Sequence, residues 1–231
     1  MYQTINHILD SAYYLVWGIP LLSLIIGIGL YLTFALRGLQ FRYLPYALKI
    51  AFGRDKDSKS QGDISHFQSL MTALAATIGI GNIAGVATAI ASGGLGALFW
   101  MWVTAIIGMS TKYAEAILAV KYRVQDKRQE MSGGPMYFIE KGLGWKWLAF
   151  LFAFFGIFAS FGGGNMIQAN SVADVMSSVF SVDPLWTAVI LSIFCGLTIL
   201  GGIKSIGKVA GYLVPFMAIF YILGASYILI Q

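Results

Sequence analysis

The residues best suited to chemistry lie inside a stretch that is otherwise apolar. Residues 75–85 read AATIGIGNIAG, with glycines at 79, 81 and 85 and the amide Asn82 among them. Each glycine destabilises a helix interior by about 1 kcal/mol relative to alanine. Hydrocarbon also offers no hydrogen-bond partner to an amide or to unpaired backbone groups. Residues 75–85 are therefore unusual for a membrane-crossing helix, because both helix formation and contact with lipid are unfavourable there.

A dinucleotide site is the first interpretation of this segment, because Gly79, Gly81 and Ala84 fit the pattern G-x-G-x-x-A. That fingerprint requires a preceding strand and an acidic residue about 20 positions further on. Residues 101–105 contain no acid, and the flanking sequence is that of a membrane helix. The nucleotide interpretation is therefore rejected.

Two interpretations of the same segment remain open. Gly81 and Gly85 form a GxxxG pair, which allows helices to pack closely. Alternatively, the helix is unwound here and binds a solute. Its second half would then begin near 80–82 with free N–H groups suited to a carboxylate, and the carbonyls around 75–78 would suit Na⁺.

A second polar group interrupts a later apolar segment, where residues 161–170 read FGGGNMIQAN. Asn165 and Gln168 are three apart and share a helix face, so both amides are predicted to point towards one cavity or one neighbouring helix. Lys112 and Glu115 have the same spacing, and we expect them to neutralise each other. We find no catalytic triad, HExxH motif or zinc spacing, so the sequence predicts neither an enzyme nor a metal enzyme.

The elements that position these residues are predicted to be membrane helices. The chain is 58% hydrophobic and only 11% charged, a composition typical of a polytopic membrane protein. Segments long enough to cross about 30 Å of hydrocarbon predict an all-α membrane protein with six transmembrane helices, at 13–36, 66–92, 96–120, 147–180, 185–203 and 210–230.

The basic residues predict the orientation of these helices. If all six segments cross, the 15 Lys and Arg residues fall on one side, which the positive-inside rule makes the cytoplasm. The N-terminus is then outside, and the net charge of +5 reflects cytoplasmic loops rather than nucleic-acid binding. The long inner loop 37–65 is either an amphipathic interfacial helix or a plain connector, and 132–144 is predicted to contain a short interfacial helix.

Three motifs carry a resemblance to a known family. GGLGALFWMWVTAIIG at 93–108 resembles the signature of the sodium:alanine (alanine or glycine:cation) symporter family, and GIGNIAGVATAI at 79–90 and SGGPMYFIEKGLG at 132–144 are similar to it as well. The resemblance implies a LeuT-type fold of the amino acid–polyamine–organocation superfamily. It also implies inward symport of alanine or glycine with Na⁺, or alternatively H⁺, across a bacterial-type inner membrane, without an organic cofactor.

The family resemblance also implies roles for individual residues. Segment 66–92 would be the broken helix and 147–180 the third core helix of the fold. Backbone carbonyls of Ala75 and Ile78 would bind sodium. Ile80 stands where family members often have threonine, which removes one hydroxyl. The implied substrate-binding residues are Thr77, Gly79, Ile80, Gly81, Asn82, Gly164, Asn165 and Gln168.

Family members are usually about twice this length, with two inverted five-helix repeats and an extra helix. Residues 1–62 would hold the extra N-terminal helix and a cytoplasmic loop, and 63–231 the first repeat, in a single transmembrane domain. The second repeat is absent from the sequence, so we expect a partial chain whose partner is the missing repeat or a second copy. The alternative is a non-transporting membrane scaffold or accessory subunit, in which the glycines serve helix packing.

Overall fold

The protein is mostly helical, as the sequence predicts. The computed structural model describes residues 2–53, 62–127, 129–162 and 164–231. The helices are α1 Tyr2–Trp17, α2 Ile19–Ala35, α3 Leu39–Arg42, α4 Leu44–Phe52, α5 His66–Thr77, α6 Ala84–Gly93, α7 Gly96–Lys121, α8 Pro135–Phe138, α9 Lys146–Gly162, α10 Asn165–Phe180, α11 Pro184–Leu200 and α12 Gly202–Ile230.

The packing of α5 against α12 forms the buried centre of the molecule. Met71 of α5 meets Ala210 and Val214 of α12, and all three side chains are almost completely buried. Most other large apolar side chains on the long helices are exposed, as expected when lipid rather than water is the solvent around them. The α5–α12 pair therefore positions the residues that follow α5.

A second close contact joins α2 to α7. Gly29 lies directly against Ile107, leaving no room for a larger residue. Beside it, the buried hydroxyl of Ser110 donates to the Gly29 carbonyl at 2.8 Å, and Thr33 donates to the Ser110 hydroxyl at 3.0 Å. Paired hydroxyls of this kind join helices in an apolar medium, and here they attach α2 to α7.

The start of α5 is fixed by short polar contacts. Ser65 and Gln68 form a capping box, in which each side chain accepts a hydrogen bond from the backbone N–H of the other residue. Two short strands, β1 Val124–Gln125 and β2 Met131–Ser132, form an antiparallel hairpin. Met131 N–H donates to the Asp63 carboxylate at 2.9 Å, which ties the hairpin to the residues before α5.

The span count agrees with the sequence only in part. In the described part of the chain, four helices are long and apolar enough to cross a membrane, and the bent pair that begins with α5 makes a fifth. The predicted span 185–203 corresponds to α11, which has 17 residues and a length of about 25 Å. That is shorter than the hydrocarbon core of about 30 Å, so the sixth span remains a prediction.

Several predicted boundaries were wrong. Helix α12 begins at Gly202 rather than near 210, so Lys204 and Lys208 lie in its first two turns and not in a loop. The first helical segment likewise starts well before residue 13. Apolar runs mark the hydrocarbon core, whereas helices continue through the polar interface, and this explains both errors. The loop 37–65 contains α3 and α4, which favours the interfacial-helix interpretation, and α8 lies within 132–144 as predicted.

Candidate functional site

The helix predicted at 66–92 is broken at its centre. Helix α5 ends at Thr77, and Ile78 and Gly79 are extended. A single 3-10 turn follows at Ile80–Asn82, and α6 starts at Ala84. The axes of the two halves differ by 66°. The glycines and the amide therefore form an unwound segment, as one of the two open interpretations predicted.

Asn82 closes the unwound turn. Its side-chain oxygen accepts from the Gly79 N–H at 3.1 Å, and its own N–H donates to the Gly79 carbonyl at 3.0 Å. This pair of bonds satisfies three backbone groups, the N–H and carbonyl of Gly79 and the N–H of Asn82, which would otherwise be costly inside a membrane. The amide at position 82 thus supports the break structurally, and its backbone N–H is already used.

Other backbone groups at the break have no partner among the residues that the structure describes. The N–H groups of Ile80 and Gly81 donate to no protein acceptor, and the carbonyls of Ala75 and Ile78 accept no hydrogen bond. Free donors and free carbonyls thus lie a few residues apart on either side of the bend. Free N–H groups suit an anion such as a carboxylate, and carbonyl oxygens suit a hard cation.

Helix α10 brings Gln168 to the break. A Cβ placed on Gly79 would lie 2.9 Å from the Gln168 Nε2 and 3.0 Å from its Oε1, so only glycine allows this close approach. The Gln168 amide makes no hydrogen bond to another described residue and remains available to a ligand. The family resemblance implies that Gln168 binds substrate; the structure shows that its side chain lies beside Gly79, and the binding role remains a prediction.

Three other predicted site residues have local hydrogen bonds or open space around them. The Thr77 hydroxyl donates back to the Ala73 carbonyl at 2.8 Å, within its own helix. The Asn165 side-chain oxygen accepts from the neighbouring Met166 N–H. Gly164, the residue before α10, has open space around it. Thr77 is the last residue of α5 before the break, and α10, which starts at Asn165, contacts the turn at Ile80–Asn82. The substrate-binding roles of Thr77, Asn165 and Gly164 remain predictions.

The packing interpretation of the glycines finds no support within the described residues. A Cβ added at Gly81 or at Gly85 would meet no atom within 4 Å. Neither glycine is therefore required for contact with another helix of this chain. Gly79 is the one of the three that a neighbouring side chain constrains.

A cavity of about 310 Å³ lies on the α12 side of the break. The sequence did not predict that Met217 and Tyr221 line this cavity, because they belong to an ordinary apolar helix about 140 residues further along the chain. Only the packing of α12 against α5 brings them here. The residues that line the cavity are Ile78, Gly79, Asn82, Ile83, Met217, Ala218, Tyr221 and Ile222.

Two charged residues of α7 pair as the sequence predicts. Lys112 and Glu115 form the ion pair that their spacing predicts, at 3.1 Å and with exposed side chains. Among the described residues, no group of three His, Cys, Asp or Glu side chains could hold a metal ion.

Comparison with known proteins places the chain in a family. The family model described as "Sodium:alanine symporter family" matches residues 2–231. The chain belongs to the sodium:alanine symporter family. It is 62% identical over 218 residues to the sodium/alanine symporter AgcS of Methanococcus maripaludis, a match that covers 93% of this chain and 48% of that protein.

Two further relatives match over a similar share of their length. The probable sodium/glutamine symporter GlnT of Bacillus subtilis is 40% identical over 223 residues, covering 96% of this chain and 46% of that protein. A putative sodium/proton-dependent alanine carrier, YrbD of the same organism, is 42% identical over 215 residues, covering 93% of this chain and 44% of that protein. The chain spans about half the length of the curated relatives it matches.

Proposed function

We propose that this chain forms half of the translocation site of a Na⁺-coupled symporter for small neutral amino acids, alanine or glycine. The observation that carries the proposal is the unwound segment 78–83, with free N–H groups and free carbonyls beside Gln168. Membership of the sodium:alanine symporter family supports sodium as the coupling ion. The relatives named for alanine and for glutamine support an amino acid as the substrate.

In this proposal each group at the break has one task. The N–H groups of Ile80 and Gly81 bind the substrate carboxylate, and the Gln168 amide orients it. The carbonyls of Ala75 and Ile78 bind Na⁺. Because anion and cation lie a few residues apart on the same bend, each favours binding of the other, and this linkage couples the two solutes. The cavity of about 310 Å³ takes the substrate side chain.

We further propose a LeuT-type arrangement, in which 63–231 forms the first five-helix repeat and a second repeat supplies the facing wall. The exposed state of the break supports this, since Thr77, Gly81 and Asn82 are open to the surroundings within the described residues. Unwound backbone at membrane depth is tolerated only when it is buried in protein or lines a water-filled cavity. The facing wall comes from further chain or from a second copy.

Na⁺-dependent binding of [³H]alanine to the purified chain tests the proposal. The same measurement is made on the chain co-expressed with the C-terminal half of the Methanococcus maripaludis relative. Binding by the chain alone means that this half is sufficient or that two copies complete each other. Binding that needs the second fragment means that the site has two walls. If neither preparation binds alanine when Na⁺ is added, the proposal is wrong.

A matched pair of glycine variants separates a binding site from a membrane scaffold. Gly81→Ala and Gly85→Ala both place a methyl group in open space, so both proteins should fold with unchanged thermal stability. The backbone N–H is kept in both variants, but only at Gly81 does the added methyl group lie beside a proposed carboxylate-binding N–H and obstruct the substrate. We therefore expect only Gly81→Ala to lose alanine binding. Loss of stability in both variants, with binding proportional to folded protein, would instead support the scaffold alternative.

A further inference from the structure

A short surface segment in the first connection suggests a binding partner other than the transported solute. Helices α3 and α4, Leu39–Phe52, follow directly after α2, which forms the end of the first candidate span. The segment therefore leaves the membrane at the level of the lipid headgroups. It lies on the side that carries the basic residues, which is the proposed cytoplasmic side.

One face of this segment rests on the rest of the molecule. Phe52 contacts the ring of Phe67 on α5, with ring centroids 5.9 Å apart. Tyr46, Ala47 and Ile50 line a cleft of about 660 Å³ between α4 and the first turns of α5. The segment therefore contacts α5 through α4 and α7 through α3.

The opposite face is apolar and uncovered. Leu44 and Leu48 are four residues apart on one face of α4, and Phe41 lies just before them in α3. We call these three residues the apolar stripe, and their exposed fractions are 58% for Phe41 and 47% for each leucine. An exposed aromatic and leucine stripe on a short helix beside a membrane span is typical of a helix lying in the interface plane.

Charge selects the kind of membrane surface. Residues 37–53 contain Arg37, Arg42 and Lys49 and no Asp or Glu. Arg42 is the last residue of α3, Lys49 lies in the last turn of α4, and both residues are exposed. Both cations belong to the same short segment as the apolar stripe, and their long side chains reach the phosphate level when the stripe enters the acyl chains. Arg42 also lies over the Tyr43 ring, 5.9 Å from its centroid.

We propose that α3 and α4 form an in-plane binding surface for anionic phospholipid headgroups, with Phe41, Leu44 and Leu48 in the acyl region and Arg42 and Lys49 on the phosphates. Each cation near an anionic surface strengthens binding about fivefold. The partner is the lipid of the surrounding bilayer and not a soluble phosphate, because the apolar stripe would not contribute to binding a phosphate ion.

Spin-label depth in vesicles tests this surface. The full chain carries Cys195→Ser and Leu48→Cys with a nitroxide, and depth is measured by accessibility to oxygen against a water-soluble nickel complex. The vesicles contain phosphatidylcholine alone or with phosphatidylglycerol. We expect the label to lie in the bilayer and to move deeper when phosphatidylglycerol is present. We also expect native mass spectrometry to show preferential retention of phosphatidylglycerol.

Matched charge variants assign the effect to this segment. Arg42→Gln with Lys49→Gln should remove the effect of phosphatidylglycerol on depth and reduce its preferential retention about fivefold for each cation removed. Lys204→Gln with Lys208→Gln removes two cations elsewhere on the same side and should leave both unchanged. The proposal is wrong if the nitroxide lies in water in both kinds of vesicle, or if its depth does not change when phosphatidylglycerol is added. It is also wrong if both double variants lose the same amount of phosphatidylglycerol retention. Failure to transport alanine would affect none of these readouts.

Discussion

At the scale of single residues, Gly79 is the most constrained position of the site. A Cβ on this residue would lie 2.9 Å from the Gln168 Nε2, so the Gln168 amide fills the space that a side chain would need. We expect Gly79→Ala to displace the flexible end of Gln168, to lower the free energy of unfolding by about 1 kcal/mol or less and to weaken alanine binding. Thermal unfolding in detergent and [³H]alanine binding measure the two effects.

The control for Gly79→Ala is a compensating change on the facing helix. Replacing Gln168 by alanine in the same protein removes the clash, so the double variant should recover the lost stability. It should not recover binding, because the proposed orienting amide is then gone. If the double variant is as unstable as Gly79→Ala alone, the contact between α10 and the break is not the cause.

Some candidate site residues could be predicted from the sequence and others could not, and the reason is physical. Gly79 and Asn82 were recognisable because glycine and an amide in an apolar helix conflict with local helix propensity and with the lipid solvent. Gln168 was recognisable for the same second reason. Tyr221 carried no such conflict, since tyrosine is unremarkable in an apolar helix. Its place beside the break depends on the packing of α12 against α5, which no local pattern encodes.

At the scale of elements, the contact between α2 and α7 depends on one glycine. Gly29→Ala would place a Cβ 2.4 Å from Ile107 Cγ2 and 3.0 Å from the Ile107 carbonyl oxygen. We expect the two helices to separate and the free energy of unfolding to fall by about 1–3 kcal/mol. The melting temperature of the detergent-solubilised protein measures this change.

Gly27 supplies the matched control on the same helix, two residues away. A Cβ at Gly27 meets nothing within 4 Å, and alanine is the better helix former. Gly27→Ala should therefore be neutral or slightly stabilising. Equal destabilisation by both variants would mean that backbone freedom in α2, and not its contact with α7, determines the result.

Element boundaries were less predictable than element type. The apolar runs predicted helices correctly, and the GGGN sequence marked the junction between α9 and α10. The start of α12 was missed because Lys204 and Lys208 lie on a helix that extends into the interface, where charged residues are tolerated. Hydropathy therefore locates the hydrocarbon core of a span better than the ends of its helix.

At the scale of the whole molecule, the distribution of charge predicts its orientation. The connections after α2 and after α7 and the start of α12 carry the basic residues, so these should face the cytoplasm and the N-terminus the outside. In a Cys195→Ser background, His7→Cys should react with a membrane-impermeant maleimide in intact cells. Lys127→Cys should react only after permeabilisation.

This orientation also places the two surfaces proposed here relative to each other. If the connection after α2 is cytoplasmic, the segment α3–α4 faces the inner leaflet, which carries the anionic lipid surface that its cations require. The same orientation makes α5 the cytoplasmic half of the broken helix and α6 the outer half. Labelling of Lys127→Cys in intact cells, with His7→Cys protected, would reverse both assignments and contradict the positive-inside argument at every basic connection.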